Sequence, residues 1–136
     1  GNVAANIVNA VEPVTVSASN ATGTINLDIT TQSVSYYTAN ASANWAVNIR
    51  GNGSTSLDSL MSTGNAVTTV FLVTQGSTAY YNNSVQVDGT TSGVTTKWLS
   101  GAPSSGVASS INSYTYTVIK TGSSAFTVLA SQSYFS

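Results

Sequence analysis

The chain has 136 residues, enough for one domain, with three basic and four acidic side chains and a formal net charge of -1. That balance excludes the basic groove that DNA or RNA binding requires and the polybasic patch that anionic lipid attracts. Cysteine and histidine are absent, so disulfides, zinc clusters, haem ligation and thiol chemistry within the chain are excluded too.

In chain order, "GNVAANIVNAVEPVTVSASN" mixes Val and Ala with Asn and reads as an extended arm or edge strand, then a short strand from Val14 to Ser17. Pro13 lacks an amide hydrogen and belongs at a strand start or edge. Gly1 follows no Met and no signal-like segment precedes the arm, so the start reads as a processed end or as the first ordered part of something longer. The expected organisation is an N-terminal arm or first strands over 1–21, continuing any upstream segment, and a β domain over 22–136.

"GTINLDITT" alternates: Ile25, Leu27 and Ile29 face one way, Asn26 and Asp28 the other. "SVSYYTA" and "NWAVNIR" follow, with Trp45, Val47 and Ile49 on one face, and Asn52–Gly53 marks a turn. "STSLDSLMSTG" is the single helical candidate. Leu57, Leu60 and Met61 have helical spacing, Ser56 is placed to cap the start and Gly64 to close the end.

"NAVTTVFLVTQG" is apolar on both faces from Val70 to Val73 and reads as a central strand. "STAYYNNSVQVDG" is a strand with a bulge or turn at Asn82–Asn83, ended by Asp88–Gly89. "SGVTTKWLSG" is a short strand up to Trp98, and "SGAPSSG" leaves the sheet as a surface crossover. "INSYTYTVIKTGSSAFTVLASQSYF" is the clearest hairpin, with Phe126, Val128 and Ala130 on one face of its second strand. No internal repeat at constant period is evident. No apolar run reaches the about 18 residues of a membrane span, so no membrane insertion is expected.

Only 5% of residues are charged, whereas Ser and Thr number 43. Solubility therefore rests on hydroxyls and amides, and control of aggregation on closed edges or assembly. A chain that is 41% hydrophobic and 9% aromatic is not composed like a disordered one. Short alternating strands with frequent turns and no βαβ spacing predict an all-β fold. The expected architecture is an antiparallel β-sandwich of jelly-roll type with at most one short helix.

The carboxylates are Glu12, Asp28, Asp58 and Asp88. None forms a local pair of the kind glycosidases use, so capping or solvated roles are expected. Asp88 in "VDGTTSG" resembles an Asx turn more than a calcium loop. Without His, a nucleophilic serine would depend on Lys97 or Lys120, and neither sits in an S-x-x-K pattern. No catalytic residue, metal or cofactor is expected.

Glycan binding is the strongest chemical alternative, since Trp98, Tyr80, Tyr81, Tyr36 and Tyr37 offer flat apolar faces beside many amides. The competing reading sends one ring of each Tyr–Tyr pair into the core, and makes Trp98 a staple between the crossover and the core. Asn-x-Ser/Thr triplets begin at Asn20, Asn40, Asn52 and Asn82, as chance produces in such a composition.

Several stretches resemble the β-rich module found in structural proteins of tailed bacteriophages, particularly marine cyanobacterial phages. They are "GTINLDITTQSVSYYTANASANWAVNIRGN", "LMSTGNAVTTVFLVTQGSTAYY", "VQVDGTTSGVTTKWLSGAPSSG" and "SYTYTVIKTGSSAFTVLASQSYF", together covering about Gly23 to Ser136. The resemblance implies a noncatalytic component of the virion, in a fibre, neck, tail or capsid-associated protein. It also implies assembly with copies of itself, three by analogy with fibres, and with other virion proteins. A host glycan contact would fall on Tyr80, Tyr81, Trp98 and Pro103.

Overall fold

The computed structural model describes residues 11–136. The reading of the N-terminal segment as an arm or first strands therefore lies largely outside the described residues. Those described form strands β1 (Val14–Ser17), β2 (Gly23–Asp28), β3 (Val34–Asn40), β4 (Trp45–Arg50), β5 (Ala66–Thr74), β6 (Asn82–Val87), β7 (Val94–Trp98), β8 (Ile111–Gly122) and β9 (Ala125–Phe135). One helical turn, α1 (Leu57–Leu60), lies between β4 and β5.

The period-2 patterns decide which side chains are buried. In β2, Ile25 and Leu27 are buried while Asn26 is exposed. In β8, Asn112, Tyr114, Tyr116, Val118 and Lys120 alternate with half-buried neighbours. The residues expected in the core are buried, with Ile29 packed on its margin.

The strands make two sheets, one six-stranded in the order β1-β3-β5-β8-β9-β7 and one three-stranded in the order β2-β4-β6. Up to β6 the chain alternates between them, odd strands entering the larger sheet and even strands the smaller. Each strand returns parallel beside its predecessor. Val14 pairs with Val34, 20 residues on, and Gly23 pairs with Trp45, 22 residues on. Apolar columns then run across the small sheet, Ile25–Val47–Val85 and Leu27–Ile49–Val87.

The expected antiparallel pairing is corrected here. Five pairings are parallel, and antiparallel pairing is confined to β5–β8 and β8–β9. Alternation in sequence specifies a half-buried strand but carries no direction. Direction comes from the connections, and those between β1 and β4 cross from one sheet to the other instead of turning back within one. Passage through the opposite sheet supplies the long return that parallel neighbours need. The same winding is a near-repeat of 20–22 residues, which the insertion carrying α1 hides from a search at constant period.

The sheets share one core. Trp45 of β4 meets Phe71 of β5 and Tyr114 of β8 edge-to-face, at centroid distances of 6.1 and 5.3 Å. Trp45 Nε1 is buried with no hydrogen-bond partner; these perpendicular rings are its aromatic neighbours. The α1 turn is capped as its sequence predicts, Ser56 Oγ accepting from Ser59 N at 3.1 Å. It closes at Met61 and not at Gly64, which sits in a separate turn at φ +92°. One turn buries Leu57 and Met61 but leaves Leu60 exposed.

Phe71→Ala is expected to cost about 3–5 kcal/mol by denaturant titration; a loss below about 1 kcal/mol would contradict the packing. Burial pushes the Tyr114 phenol up to about 12 and raises Tyr116 above its ordinary 10.0. The folded state thus holds these protons after the unfolded chain has released them. The Tyr114 contribution is complete below pH 10.0 and is lost as pH rises through about 12, and that of Tyr116 has the same sign. An absorbance titration of the phenols is expected to show this pair ionising together with alkaline unfolding; ionisation of both while the far-UV circular dichroism stays native would contradict their burial.

Candidate functional site

β7 is an edge of the larger sheet and β6 an edge of the smaller one. A groove of about 310 Å³ opens between them, lined by Tyr81, Asn83, Ser84, Thr96, Trp98 and Pro103 among others. Three of the four residues singled out from sequence, Tyr81, Trp98 and Pro103, therefore meet at one place. Tyr80 does not line the groove; its ring packs against the core.

The Trp98 ring is half-buried. It stands perpendicular to Tyr114 and Tyr116, at centroid distances of 6.3 and 6.2 Å. The indole is thus both a staple on the core and part of the groove wall. Tyr37 meets Phe71 edge-to-face at 4.9 Å, while Tyr36 pairs with Leu72 on the opposite face of the large sheet. In both Tyr–Tyr pairs one ring turns to the core, as adjacent residues of an extended chain must.

Buried amides hold the groove walls. The register slips between Trp45 and Ala46, which pair with Asn82 and Ser84, so Asn83 is the bulged residue. Asn82 is 1% exposed. Its Nδ2 donates to the carbonyls of Trp45 and Ser84 at 3.0 and 2.9 Å, and its Oδ1 accepts from the Tyr116 hydroxyl at 3.1 Å. That burial removes Asn82 as a glycan acceptor and makes it the pivot that turns Tyr81 outward.

A second cluster fixes the crossover from Leu99 to Ser110. Gln75 Nε2 donates to the Tyr80 carbonyl, and Tyr80 N donates back to Gln75 Oε1 at 3.1 Å. Asn112 treats Val107 likewise: Val107 N donates to its Oδ1 at 3.0 Å, and its Nδ2 donates to the Val107 carbonyl at 3.1 Å. Gly106 passes between the two amides. A Cβ there would lie 2.1 Å from the Tyr80 carbonyl and 2.7 Å from Gln75 Nε2. The glycine thus serves a close approach, not a turn.

Five of the seven charged side chains, Asp28, Arg50, Asp58, Asp88 and Lys120, lie elsewhere and are engaged in structure. Asp28 pairs with Arg50 at 2.7 Å. Asp88 accepts from the backbone of Leu57 and Asp58 at 2.6 and 3.0 Å, binding the β6 end to the start of α1. Asp58 accepts from Lys120 at 2.9 Å and from Ser124 N at 2.8 Å; the Lys120 hydrogen bond, then that of Ser124, hold its carboxyl below the usual range. Lys120 Nζ also donates to the Asp58 and Met61 carbonyls at 2.7 and 2.9 Å, so its three protons are all engaged. Lys97 projects from the outer face of the large sheet beside Leu99 and Leu129.

Among the described residues, no group of three or more acidic side chains is placed to hold a metal ion, and no helix is long and apolar enough to cross a membrane. Comparison with protein-family models, curated proteins and solved structures returns no match. Sequence reasoning missed Gln75 and Asn112, and read Gly106 only as punctuation of the surface crossover. Asn112 carried a signal, since it falls on the buried face of β8 in phase with Tyr114 and Tyr116.

Gly106→Ala is expected to destabilise by about 1–3 kcal/mol, the usual cost of overpacking, whereas Gly101→Ala, with nothing near its Cβ position, bears only the left-handed strain of its φ. Thermal melts that rank Gly101→Ala as the more damaging would refute the clasp.

Proposed function

We propose that the chain is a noncatalytic structural module of a bacteriophage virion, built to assemble with copies of itself. The observation that carries this reading is the outer face of the six-stranded sheet. Its strands contribute two charged residues, Lys120, which is buried, and Lys97. Val16, Leu129 and Phe135 on that sheet are 63%, 49% and 66% exposed. A broad face of apolar and hydroxyl groups with one edge cation is what a symmetric interface covers. The two-sheet layout is read as a sandwich whose early strands wind in parallel coils. The worded resemblance to tailed-phage modules supplies the virion setting, and three copies follow by analogy with fibres. Such a module would need no thiol, metal or ionic surface to persist outside a cell.

Sedimentation of the purified chain is expected to give a discrete oligomer, and Leu129→Lys to shift it to monomer with an unchanged circular dichroism spectrum. A wild-type chain that stays monomeric at millimolar concentration would count against self-assembly. Finding the chain in a virion density map would decide its place there.

A second reading has its own observation, the convergence of Tyr81, Trp98 and Pro103 on the β6–β7 groove. Flat rings beside the Asn83 amide and the Ser84 and Thr96 hydroxyls suit a neutral glycan. Binding per copy would be weak, would gain from multivalency and would depend little on salt. On a glycan array, Tyr81→Ala is expected to abolish the signal while leaving the melting temperature nearly unchanged. No binding by the wild-type oligomer would dismiss this reading.

A further inference from the structure

Two charged side chains, Glu12 and Lys97, have no ion pair or hydrogen bond among the described residues, and they carry opposite signs. Both are exposed. Glu12 stands two residues before β1, at one edge of the six-stranded sheet, and Lys97 is on β7, at the other edge. Five strand spacings, roughly 24 Å, separate those edges, so the two cannot pair within one chain.

The register of the sheet sets them level. Lys97 pairs with Leu129, Leu129 with Thr117 and Thr117 with Thr68. The row two residues further along runs from Ser131 through Thr115, Val70 and Val34 to Val14. Glu12 precedes Val14 by two residues and so falls at the height of the Lys97 row. The same step of two keeps it on the outer face with Val14 and Val16.

The Lys97 end of that face is concave. Lys97, Leu99, Thr115, Thr117, Leu129 and Ser131 line a hollow of about 390 Å³ there, and Leu99 and Leu129 are exposed in it. The Glu12 end offers matching relief, because Val14 and Val16 project from the edge strand into solvent. Each end thus supplies an apolar patch and one free charge, and the charges are complementary. A rotation axis along the strands leaves every row at its own height. It therefore brings the Glu12 end of one copy level with the Lys97 end of the next.

We infer that the outer face of the large sheet is a heterologous interface between copies of this chain. The β1 end of one copy, carrying Val14 and Val16, seats in the β7–β9 hollow of the next, and Glu12 pairs with Lys97 of that copy. The inference rests on the self-assembly proposed above and adds its geometry. Contacts run head to tail about an axis along the strands and close into a ring where the rotation allows, three copies included. The ion pair selects this seating, since like ends brought together would oppose two carboxylates or two ammonium groups.

Neither side chain has a partner within the chain, so reversing its charge removes no contact there. Glu12→Lys and Lys97→Glu are each expected to weaken association by about tenfold or more in sedimentation equilibrium, because each sets like charges together at every contact. The double reversal is expected to return to within about threefold of wild type. An oligomer that neither single reversal weakens, or that the double reversal does not restore, would overturn this inference and leave self-assembly standing. A wild-type chain that stays monomeric at millimolar concentration would overturn both. The absence of native cysteine gives a second readout. Glu12→Cys chains mixed with Lys97→Cys chains are expected to form mixed disulfides about tenfold faster than either variant links to itself under mild oxidation. Self-linking at an equal or faster rate would overturn the head-to-tail contact, showing that like ends meet.

Discussion

A chain with three basic and four acidic side chains must fix its loops and satisfy its buried backbone with neutral groups, and the amides of Gln75, Asn82 and Asn112 are where this is done. Each is at most 3% exposed, and each imitates a piece of backbone. Gln75 and Asn112 close reciprocal pairs with Tyr80 and Val107, as a neighbouring strand would. Asn82 donates twice and accepts once inside a bulge. A buried amide left unpaired would cost about 1–3 kcal/mol, so these sites tolerate little change. The groove depends on them, because they set the direction of Tyr81 and hold the loop that carries Pro103.

The ions that remain work at the ends of elements. Lys120 comes up from the hairpin to gather the carbonyls that α1 leaves without partners, and Asp58 closes the arrangement back onto the hairpin turn at Ser124. Asp88 does the same for the amides at the start of α1. Three charged residues thus bind the inserted turn to both sheets, which explains how an insertion interrupts the winding without loosening it.

Strand positions and burial were legible because period-2 alternation is a local property: Ile25 and Leu27, Trp45 to Ile49, and the β8–β9 hairpin lie where their patterns put them. The helix cap at Ser56 was legible for the same reason. Strand direction was not, because Val34 lies beside Val14 and Val70 only by virtue of connections that change sheets, and nothing in "VSYYTAN" records that. For the groove, the aromatic residues were visible, but their meeting depends on where two sheet edges end, a property of the whole topology. Gly106 was visible as loop punctuation; that it serves a contact with Tyr80 appears only once Gln75 and Asn112 are in place.

Parallel winding bears on what such a chain can do. An antiparallel sheet can end at a hairpin, as the large sheet nearly does at β8 and β9, but a stack of parallel coils always ends on an edge that could accept another coil. Here the coils of the large sheet stop at β5, where the hairpin lies antiparallel against it, and β7 beyond the hairpin and β6 in the small sheet form the edges at that end. Among the described residues the other end of the stack is formed by the edges β1 and β2. The groove between β6 and β7 therefore lies at the opposite end of the strand stack from β1 and β2, where two sheet edges meet without either pairing with the other.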